Sequence, residues 1–286
     1  MLLDGKALSN KIKEELKATI TSLKQKYNDT PTLSIIRVGD NSASEIYVRN
    51  KVKTASAVGI NAEEIHLDGL ISMEELINTI DNLNNDPKVN GIIVQLPLPK
   101  HLHEQTVINK ISDEKDVDGF GLLNKGKLFG GIVCLRPATP HGIMRLLDEY
   151  NIELSGKNAL VIGRSNIVGK PAALMLLERN ATVTIAHSRT TNLKEIAKNA
   201  DIIVVAVGKK HFLTADMVKE GAVIVDVGIN RVDGKLYGDA DFDNIKDKAS
   251  YITPVPGGVG PLTIVTLLSN TIDAFVNQKE GRQWLL

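Results

Sequence analysis

The chain has 286 residues, 43% of them hydrophobic and 24% charged, which is enough to bury a sizeable core and suggests two domains. Its 34 basic side chains balance 34 acidic ones without a block of like charge, so neither nucleic acid nor an anionic membrane is expected as a partner. This balance favours a small-molecule ligand.

The cellular compartment is predicted from the cysteine count and the N-terminal sequence. The single cysteine, Cys134, excludes an internal disulfide and any two-cysteine metal or redox motif. Asp4 and Lys6 interrupt the apolar run that a signal peptide requires, and no segment approaches the roughly eighteen apolar residues of a membrane span. We therefore expect a cytoplasmic protein.

The first half of the chain reads as alternating strands and helices. Residues 33–38, 63–68 and 91–98 form runs typical of strands. The helix between the first two is expected to be capped by Ser42, with Glu45 three residues later, and to end at Gly59. A second helix opens at Ser72, with Glu75 as its capping-box partner. These patterns predict a βαβαβ unit.

A second series of strands is predicted at 158–163, 182–187, 201–208 and 222–228, with helical segments between most of them. Continuous valine and isoleucine runs separated by helices indicate parallel sheets that are covered on both faces. Pro137 and Pro140 precede a helix between the two series and mark the domain boundary. A final helix opens at Pro261.

The predicted fold class is therefore α/β, with two α/β domains, mainly parallel sheets and an active-site cleft between the domains. The first domain covers residues 1–137, and the second, Rossmann-like domain covers residues 138–261. The last helix, at about 262–286, is expected to pack back on the first domain.

The segment VIGRSNIVGKP predicts a strand, a tight turn and a helix, an arrangement that places a dinucleotide pyrophosphate against helix N-terminal amides. The match is imperfect, since Gly163 supplies the turn but Ser165 stands where a second glycine would, and Gly169 comes one residue late for the third. An ordinary strand-to-helix turn with incidental glycines is the alternative.

The end of the following strand distinguishes between two cofactors. NAD enzymes carry an acidic residue there for the ribose hydroxyls, whereas this chain has His187, Ser188 and Arg189, with Arg164 in the preceding turn. Arginine and serine can bind a ribose phosphate that a carboxylate would repel. NADP is therefore predicted over NAD.

A second glycine-rich loop, PVPGGVGP, precedes the final helix. Gly257, Gly258 and Gly260 would let main-chain amides approach a ligand. A tight connection between a strand and a helix also explains these glycines.

Tyr47 and Lys51 lie one turn apart on the flank of the first predicted helix, between its buried stripe and solvent. They are either two long side chains at the boundary between core and solvent, or an aromatic ring that stacks on a substrate beside a reactive lysine. Short-chain dehydrogenases use a similar pair, but there it follows the glycine-rich turn, whereas here it precedes that turn.

Further polar groups stand near predicted strand ends. Gln95 lies in an apolar strand that runs into prolines, at the edge where α/β sheets bind ligands. Asp116 and Asp118 precede Gly119, which ordinary turn chemistry also explains. The six histidines give no convincing set of ligands, so no metal site is predicted.

Eight motifs follow one another along nearly the whole chain. They are VGDNSASEIYVRNKVKTASAVGI, GIIVQLPLP, KDVDGF, RPATPHGI, VIGRSNIVGKP, TVTIAHSRT, DVGIN and TPVPGGVGPLT. In this order they resemble the motifs of the bifunctional methylenetetrahydrofolate dehydrogenase/methenyltetrahydrofolate cyclohydrolase family. Many members have a cysteine where this chain has Ala138, a departure that puts little of the resemblance in doubt.

The resemblance implies NADP-dependent oxidation of 5,10-methylenetetrahydrofolate to 5,10-methenyltetrahydrofolate, followed by hydrolysis to 10-formyltetrahydrofolate. These are reactions of one-carbon metabolism that serve purine biosynthesis. The resemblance also implies a homodimer that is joined mainly through the cofactor domains.

The resemblance also implies roles for individual residues. Lys51 would be the proton-transfer group of the hydrolysis, Gln95 would hold and tune Lys51, and Tyr47 would stack on the folate. Asp118 would pair with the amino-pyrimidine edge of the pterin. The loop at 256–261 would close over the ligands through Pro256, Gly257, Gly258 and Pro261. The candidates for cofactor binding are Gly163, Arg164, Ser165, His187, Ser188, Arg189 and Ile229.

Two other functions remain as alternatives. One is a folate- or nucleotide-binding protein without turnover, against which the presence of Tyr47, Lys51, Gln95 and Asp118 argues. The other is an unrelated two-domain NADP dehydrogenase that acts on a small hydroxy acid, but nothing in the sequence resembles its His/Asp acid–base pair.

Overall fold

The computed structural model describes residues 1–281, which form two compact units. The first unit comprises residues 11–138 and 264–281, and the second comprises residues 1–10 and 139–263. The sequence places residues 1–137 together, whereas residues 1–10 group with the second unit, where the amides of Leu3 and Lys6 donate to the carbonyls of Ile252 and Gly257. The last part of the predicted C-terminal helix, residues 282–286, lies outside the described residues.

The elements are numbered in chain order. The helices are α1 (Gly5–Tyr27), α2 (Ser42–Val58), α3 (Met73–Asn85), α4 (Glu104–Lys110), α5 (Leu122–Phe129), α6 (Ala138–Glu149), α7 (Gly169–Glu178), α8 (Leu193–Lys198), α9 (Phe242–Ile245) and α10 (Gly260–Glu280). The strands are β1 (Thr32–Val38), β2 (Asn61–Leu67), β3 (Gly91–Val94), β4 (Asn158–Ile162), β5 (Thr182–Ala186), β6 (Ile202–Val205), β7 (Val223–Asp226), β8 (Asn230–Val232), β9 (Lys235–Tyr237) and β10 (Tyr251–Ile252).

The first unit contains a three-stranded parallel sheet in the order β2-β1-β3. The central strand β1 is buried along nearly its whole length, as expected for a parallel strand covered on both faces. The predicted capping box of α3 is confirmed, because Ser72 and Glu75 exchange their hydrogen bonds. Strand β3 ends at Val94, so Gln95 follows the strand instead of lying within it.

The second unit contains a five-stranded parallel sheet in the order β10-β7-β6-β4-β5. The inner strands β6 and β7 are fully buried, which explains their unbroken valine and isoleucine runs. Strands β8 and β9 form an additional antiparallel hairpin. The predicted fold class, two α/β domains with mainly parallel sheets, is confirmed.

Two properties of the described residues bear on function. No helix within residues 1–281 combines the length and the apolar character needed to cross a membrane. Over the same residues, no three side chains of the His, Cys, Asp or Glu types gather where they could hold a metal ion.

Candidate functional site

Helix α2 presents the tyrosine–lysine pair, and its two ends are fixed by local chemistry. The predicted cap, Ser42, is wrong: Asn41 is the cap, and its side-chain oxygen accepts the Ser44 amide at 3.0 Å. Ser42 is already the first helical residue. The helix ends as predicted at Gly59, which has a φ of 97° that glycine adopts without strain.

Within α2, Val48 and Ala55 are fully buried, whereas the side chain of Tyr47 is 51% exposed. Lys51 is half-buried, and its Nζ atom donates a hydrogen bond to Oε1 of Gln95 at 3.1 Å. The pair therefore lies at the boundary between core and solvent, as predicted, and its lysine contacts a polar group from another element.

A hydrogen bond to the main chain of the next residue holds Gln95 in one orientation. Its Nε2 atom donates to the carbonyl of Leu96 at 2.7 Å, which leaves Oε1 facing the lysine. Since Gln95 directly follows β3, this contact lies at the carboxyl end of the sheet, where open α/β sheets bind ligands.

Asp118 approaches the same end of the sheet. Asp116 pairs with Ile92 in a parallel bridge, so Asp118, two residues later, lies level with the end of β3. Burial raises the pKa of the Asp118 carboxyl, and the positive charge of Lys51 opposes this rise. The structure thus brings the carboxylate, the amine and the amide of Gln95 into one region.

Asp116 has a structural role that sequence reasoning explained only as turn chemistry. It is 1% exposed, and its carboxylate accepts hydrogen bonds from the amides of Phe120 and Gly121 at 3.2 and 2.8 Å and from Nδ2 of Asn124 at 2.9 Å. These bonds fix the turn that carries Asp118. Burial raises the pKa of Asp116.

Asn270 also secures this turn, and no local sequence signal points to it. Its Nδ2 atom donates to the carbonyls of Val117 and Arg136, both at 2.8 Å. Gly119 completes the turn with a φ of 68°, and a Cβ atom there would lie 2.7 Å from the carbonyl carbon of Arg136. Only glycine fits this position without displacing main chain.

The second unit has an open pocket of about 450 Å³ at the end of β4. Gly163 makes its turn with a φ of 128°, and a Cβ atom there would lie 2.3 Å from the carbonyl oxygen of Ala206. Gly169 is equally constrained, since its Cβ would lie 2.2 Å from the carbonyl oxygen of Gly163. Both glycines are therefore required by close main-chain approach. The pocket is lined by Ile162, Gly163, Arg164, His187, Ser188, Thr190, Leu193, Ala206, Val207, Lys209 and Phe212.

Two predicted cofactor residues stand beside this pocket without lining it. The Oγ atom of Ser165 accepts the amides of Val168 and Gly169 at 3.1 and 3.2 Å, so it stabilises the start of α7. Arg189 is exposed, and its amide donates to Nδ1 of His187 at 3.1 Å.

A smaller pocket of about 120 Å³ lies beside the glycine-rich loop of the same unit. It brings together the predicted substrate residues Pro256, Gly257, Gly258 and Pro261. Ile229, a predicted cofactor residue that is 53% exposed, lines this pocket instead of the larger one. Its other lining residues are Asp226, Val227, Gly228, Leu236, Pro254, Val255, Val259 and Gly260.

The larger pocket suits a phosphorylated dinucleotide. Its lining includes Arg164, Lys209 and Ser188, and none of its lining residues is acidic. Positive and hydroxyl groups favour a phosphate. The residues present therefore fit NADP.

Comparison with known proteins matches two successive parts of the chain to two domains of one family. Residues 3–118 match the tetrahydrofolate dehydrogenase/cyclohydrolase catalytic domain, and residues 137–279 match the NAD(P)-binding domain of the same family. The bifunctional protein FolD of Campylobacter hominis is 56% identical over 278 residues, which cover 97% of this chain and 98% of that protein.

Two solved structures are similar over nearly the whole chain. The bifunctional FolD methylenetetrahydrofolate dehydrogenase/cyclohydrolase of Campylobacter jejuni has a TM-score of 0.96 and 50% identity, over 97% of this chain and 99% of that one. The enzyme of Trypanosoma brucei, complexed with NADP cofactor and an inhibitor, has a TM-score of 0.92 and 36% identity, over 99% of each chain. The chain therefore belongs to the tetrahydrofolate dehydrogenase/cyclohydrolase family.

Proposed function

We propose that this chain oxidises 5,10-methylenetetrahydrofolate to 5,10-methenyltetrahydrofolate with NADP and then hydrolyses the product to 10-formyltetrahydrofolate. In a chain of this family, the observation that carries the proposal is the hydrogen bond between Lys51 and Gln95 at the sheet end that Asp118 also approaches. This group of side chains suits a cationic intermediate that must be held and then attacked by water.

The pterin of the folate is assigned to Asp118. Its carboxylate offers two acceptor oxygens to the two neighbouring N–H donors of the amino-pyrimidine edge, and such charge-assisted pairs are short and strong. Tyr47, which is half exposed, offers an aromatic face on which the flat ring system stacks. Both residues act in binding, so both reactions depend on them.

The oxidation requires alignment more than it requires a base. A hydride leaves the methylene carbon while the lone pair of the adjacent nitrogen stabilises the developing cation, so no proton needs to be removed in this step. When bound, NADP supplies the acceptor for that hydride. Gly163, Arg164, His187 and Ser188 would hold it in the larger pocket.

The hydrolysis requires a group that accepts a proton from water. Water attacks the methenyl carbon, forming a new C–O bond as Lys51 accepts one proton of the water. The C–N bond then breaks as the hydroxyl loses its proton and the departing nitrogen takes one up, which leaves the formyl group on the other nitrogen and releases one proton overall. Lys51 is assigned to the proton transfer because its amine is half-buried and is held by Gln95 at a fixed site. Gln95 acts through Lys51 by orienting it.

The choice of NADP over NAD is assigned to the end of β5 and the turn after β4. Arg164, His187 and Ser188 line the pocket there, and Arg189 stands beside it. These groups would bind a ribose phosphate, whereas a carboxylate at the same place would repel it.

We further propose that two copies associate through the second unit. Strand β5 is at the edge of the five-stranded sheet, where Ile185 is 41% exposed, and Leu177 on α7 is also exposed. An uncovered edge strand with an apolar side chain offers unpaired main-chain groups to a second copy. Light scattering should give twice the chain mass of 31.1 kDa, and a monomeric mass at micromolar concentration would contradict this.

We place the enzyme in the cytoplasm, where its formyl product would serve purine biosynthesis. The single cysteine among 286 residues supports a reducing compartment.

The direct test is an absorbance assay of methenyl formation from methylenetetrahydrofolate and NADP, followed by hydrolysis of methenyltetrahydrofolate without cofactor. We expect turnover in both assays. Ligand binding without turnover would indicate a binding protein, and oxidation of small hydroxy acids alone would indicate an unrelated dehydrogenase.

A further inference from the structure

Two buried aspartates of the second unit take no part in the roles assigned so far. Asp226, the last residue of β7, is 3% exposed, and Asp239, after the β8–β9 hairpin, is 0% exposed. Burial of two carboxylates is costly unless every oxygen is satisfied. The hydrogen-bond donors around each carboxylate therefore indicate its role.

Asp226 accepts three main-chain hydrogen bonds. They come from the amides of Gly228, Asp239 and Ala240, at 2.8, 2.9 and 2.8 Å. This carboxylate joins the chain directly after β7 to the chain directly after the hairpin. Because one of its donors is the amide of Asp239, it also fixes the second aspartate.

Asp239 accepts four hydrogen bonds, three of them from the loop that follows β6. The amides of Val207 and Gly208 donate to Oδ2 at 2.6 and 2.9 Å, and the amide of Lys209 and Nδ2 of Asn230 donate to Oδ1, both at 2.9 Å. Within residues 1–281, the hydrogen bonds to the two carboxylates come only from main-chain amides and from Asn230.

Glycines make room for both carboxylates. A Cβ atom on Gly228 would lie 2.2 Å from Oδ1 of Asp239, and one on Gly238 would lie 1.8 Å from Oδ2 of Asp226. The main chain thus packs directly against the two carboxylates. No side chain larger than the hydrogen of glycine fits at either position.

The chain segments that these carboxylates hold are walls of both pockets. Val207 and Lys209 line the larger pocket, whereas Asp226, Val227, Gly228 and Ile229 line the smaller one. Loops after parallel strands have no ladder of their own, so their shape depends on such side-chain contacts.

We propose that Asp226 and Asp239 are positioning residues that set the walls of both pockets by binding the amides of three loops, and that Asp239 thereby controls affinity for NADP. The inference rests on the proposed function, because it assigns the larger pocket to that cofactor. A carboxylate is required, since its two oxygens accept several N–H groups at once, whereas an asparagine side chain has one acceptor oxygen.

The test is Asp239→Asn, which keeps the volume of the side chain but turns an N–H₂ group toward amides that donate. Isothermal titration calorimetry with NADP should show a dissociation constant at least about tenfold higher than in the wild type, because buried donors lose their acceptors. The Michaelis constant for NADP should rise by a similar factor, with a smaller fall in kcat. The NADP-independent hydrolysis of methenyltetrahydrofolate should fall by a smaller factor.

The matched control is Asp243→Asn, an exposed carboxylate nearby whose side chain is 85% exposed. It should leave the NADP dissociation constant unchanged. If the wild type binds NADP and Asp239→Asn binds within about twofold of it, the inference is overturned. If the wild type itself fails to bind NADP, the proposed function is what fails.

A second measurement needs no variant and tests the hydrogen bonds on which the inference depends, even if Asp239→Asn does not fold. In the wild type, hydrogen exchange at the amides of Val207, Gly208 and Lys209 should be slowed by about a hundredfold or more relative to free amides, although they lie outside any strand. Exchange at the rate of a free loop would overturn the inference.

Discussion

The Nζ atom of Lys51 lies 3.1 Å from Oε1 of Gln95, and these two residues come from different elements, helix α2 and the chain directly after β3. Since the other end of the Gln95 amide is bound to the carbonyl of Leu96, the glutamine cannot turn its nitrogen toward the amine without breaking that bond. The lysine is thereby held at the carboxyl end of the sheet.

The first prediction is that the two reactions separate at Lys51. Lys51→Met keeps the length of the side chain but cannot exchange protons, so hydrolysis should fall by about a hundredfold to ten-thousandfold. Some dehydrogenase activity should survive, because hydride transfer depends on alignment. Absorbance traces recorded during the oxidation should then show that methenyltetrahydrofolate accumulates.

Lys51→Arg is the matched variant for this prediction. It keeps the positive charge but cannot act as a base near neutral pH, so its hydrolysis should resemble that of the methionine variant. Near-normal hydrolysis in the arginine variant would mean that Lys51 contributes charge alone.

The second prediction concerns Asp118 and pH. Because burial raises the pKa of this carboxyl, it should become protonated at a higher pH than an exposed aspartate as pH falls. The neutral form loses the charge that binds the pterin donors, so the folate Michaelis constant should rise on the acidic side in both reactions.

Asp118→Asn isolates this effect. The variant should bind folate weakly and should lack the acidic rise of the Michaelis constant, because it has no carboxyl to titrate. A loss confined to one of the two reactions would instead assign Asp118 a chemical role.

The third prediction is that charge reversal at Arg164 changes the choice of cofactor. Arg164→Glu places a carboxylate in the larger pocket, so the Michaelis constant for NADP should rise by about tenfold or more, and that for NAD should rise less. Steady-state kinetics with each cofactor measures both values. Equal effects on the two cofactors would argue against a phosphate contact at this residue.

The fourth prediction concerns stability and Asp226. Burial raises its pKa from 3.8 to about 6, although three main-chain hydrogen bonds oppose the rise. The folded state therefore binds this proton more tightly than the unfolded state, which stabilises the fold below about pH 4 and ceases to do so as pH rises through about 6. The shift corresponds to about 3 kcal/mol.

Denaturant unfolding of the wild type and of Asp226→Asn at several pH values measures this contribution. The free energy of unfolding of the wild type, relative to the variant, should decrease by up to about 3 kcal/mol between pH 4 and pH 7. A difference that does not change with pH would show that Asp226 titrates normally.

Each predicted strand has a counterpart in the two parallel sheets, although β3 ends at Val94, before the predicted end at residue 98. Continuous apolar runs indicate strands covered on both faces, which holds for β1, β6 and β7. The expected covering is wrong for β2 and β5, which keep exposed residues. The family is confirmed, since its motifs are contiguous in sequence. Helix α1 has no counterpart among the predicted elements, although Leu8, Ile12, Leu16 and Ile20 recur every four residues and are buried. That pattern was available in the sequence.

Other features could not be predicted from the sequence because they depend on contacts between distant parts of the chain. Asn270 contacts Val117 and Arg136, and no spacing relates these three positions. Asp239 binds amides that lie about thirty residues earlier, and its glycine neighbours read as ordinary turn residues. The roles assigned to Tyr47, Lys51, Gln95 and Asp118 remain predictions that the variants above would test.

The chain passes between the two units within α1, at the start of α6 and within α10, so neither unit is one continuous stretch of sequence. A fragment ending at residue 138 would lack the segment that carries Asn270, and a fragment beginning at residue 139 would lack the amides of Leu3 and Lys6. No single cleavage can release either unit intact. A gene that encoded the folate-binding half or the cofactor-binding half alone would have to be assembled from two separated pieces.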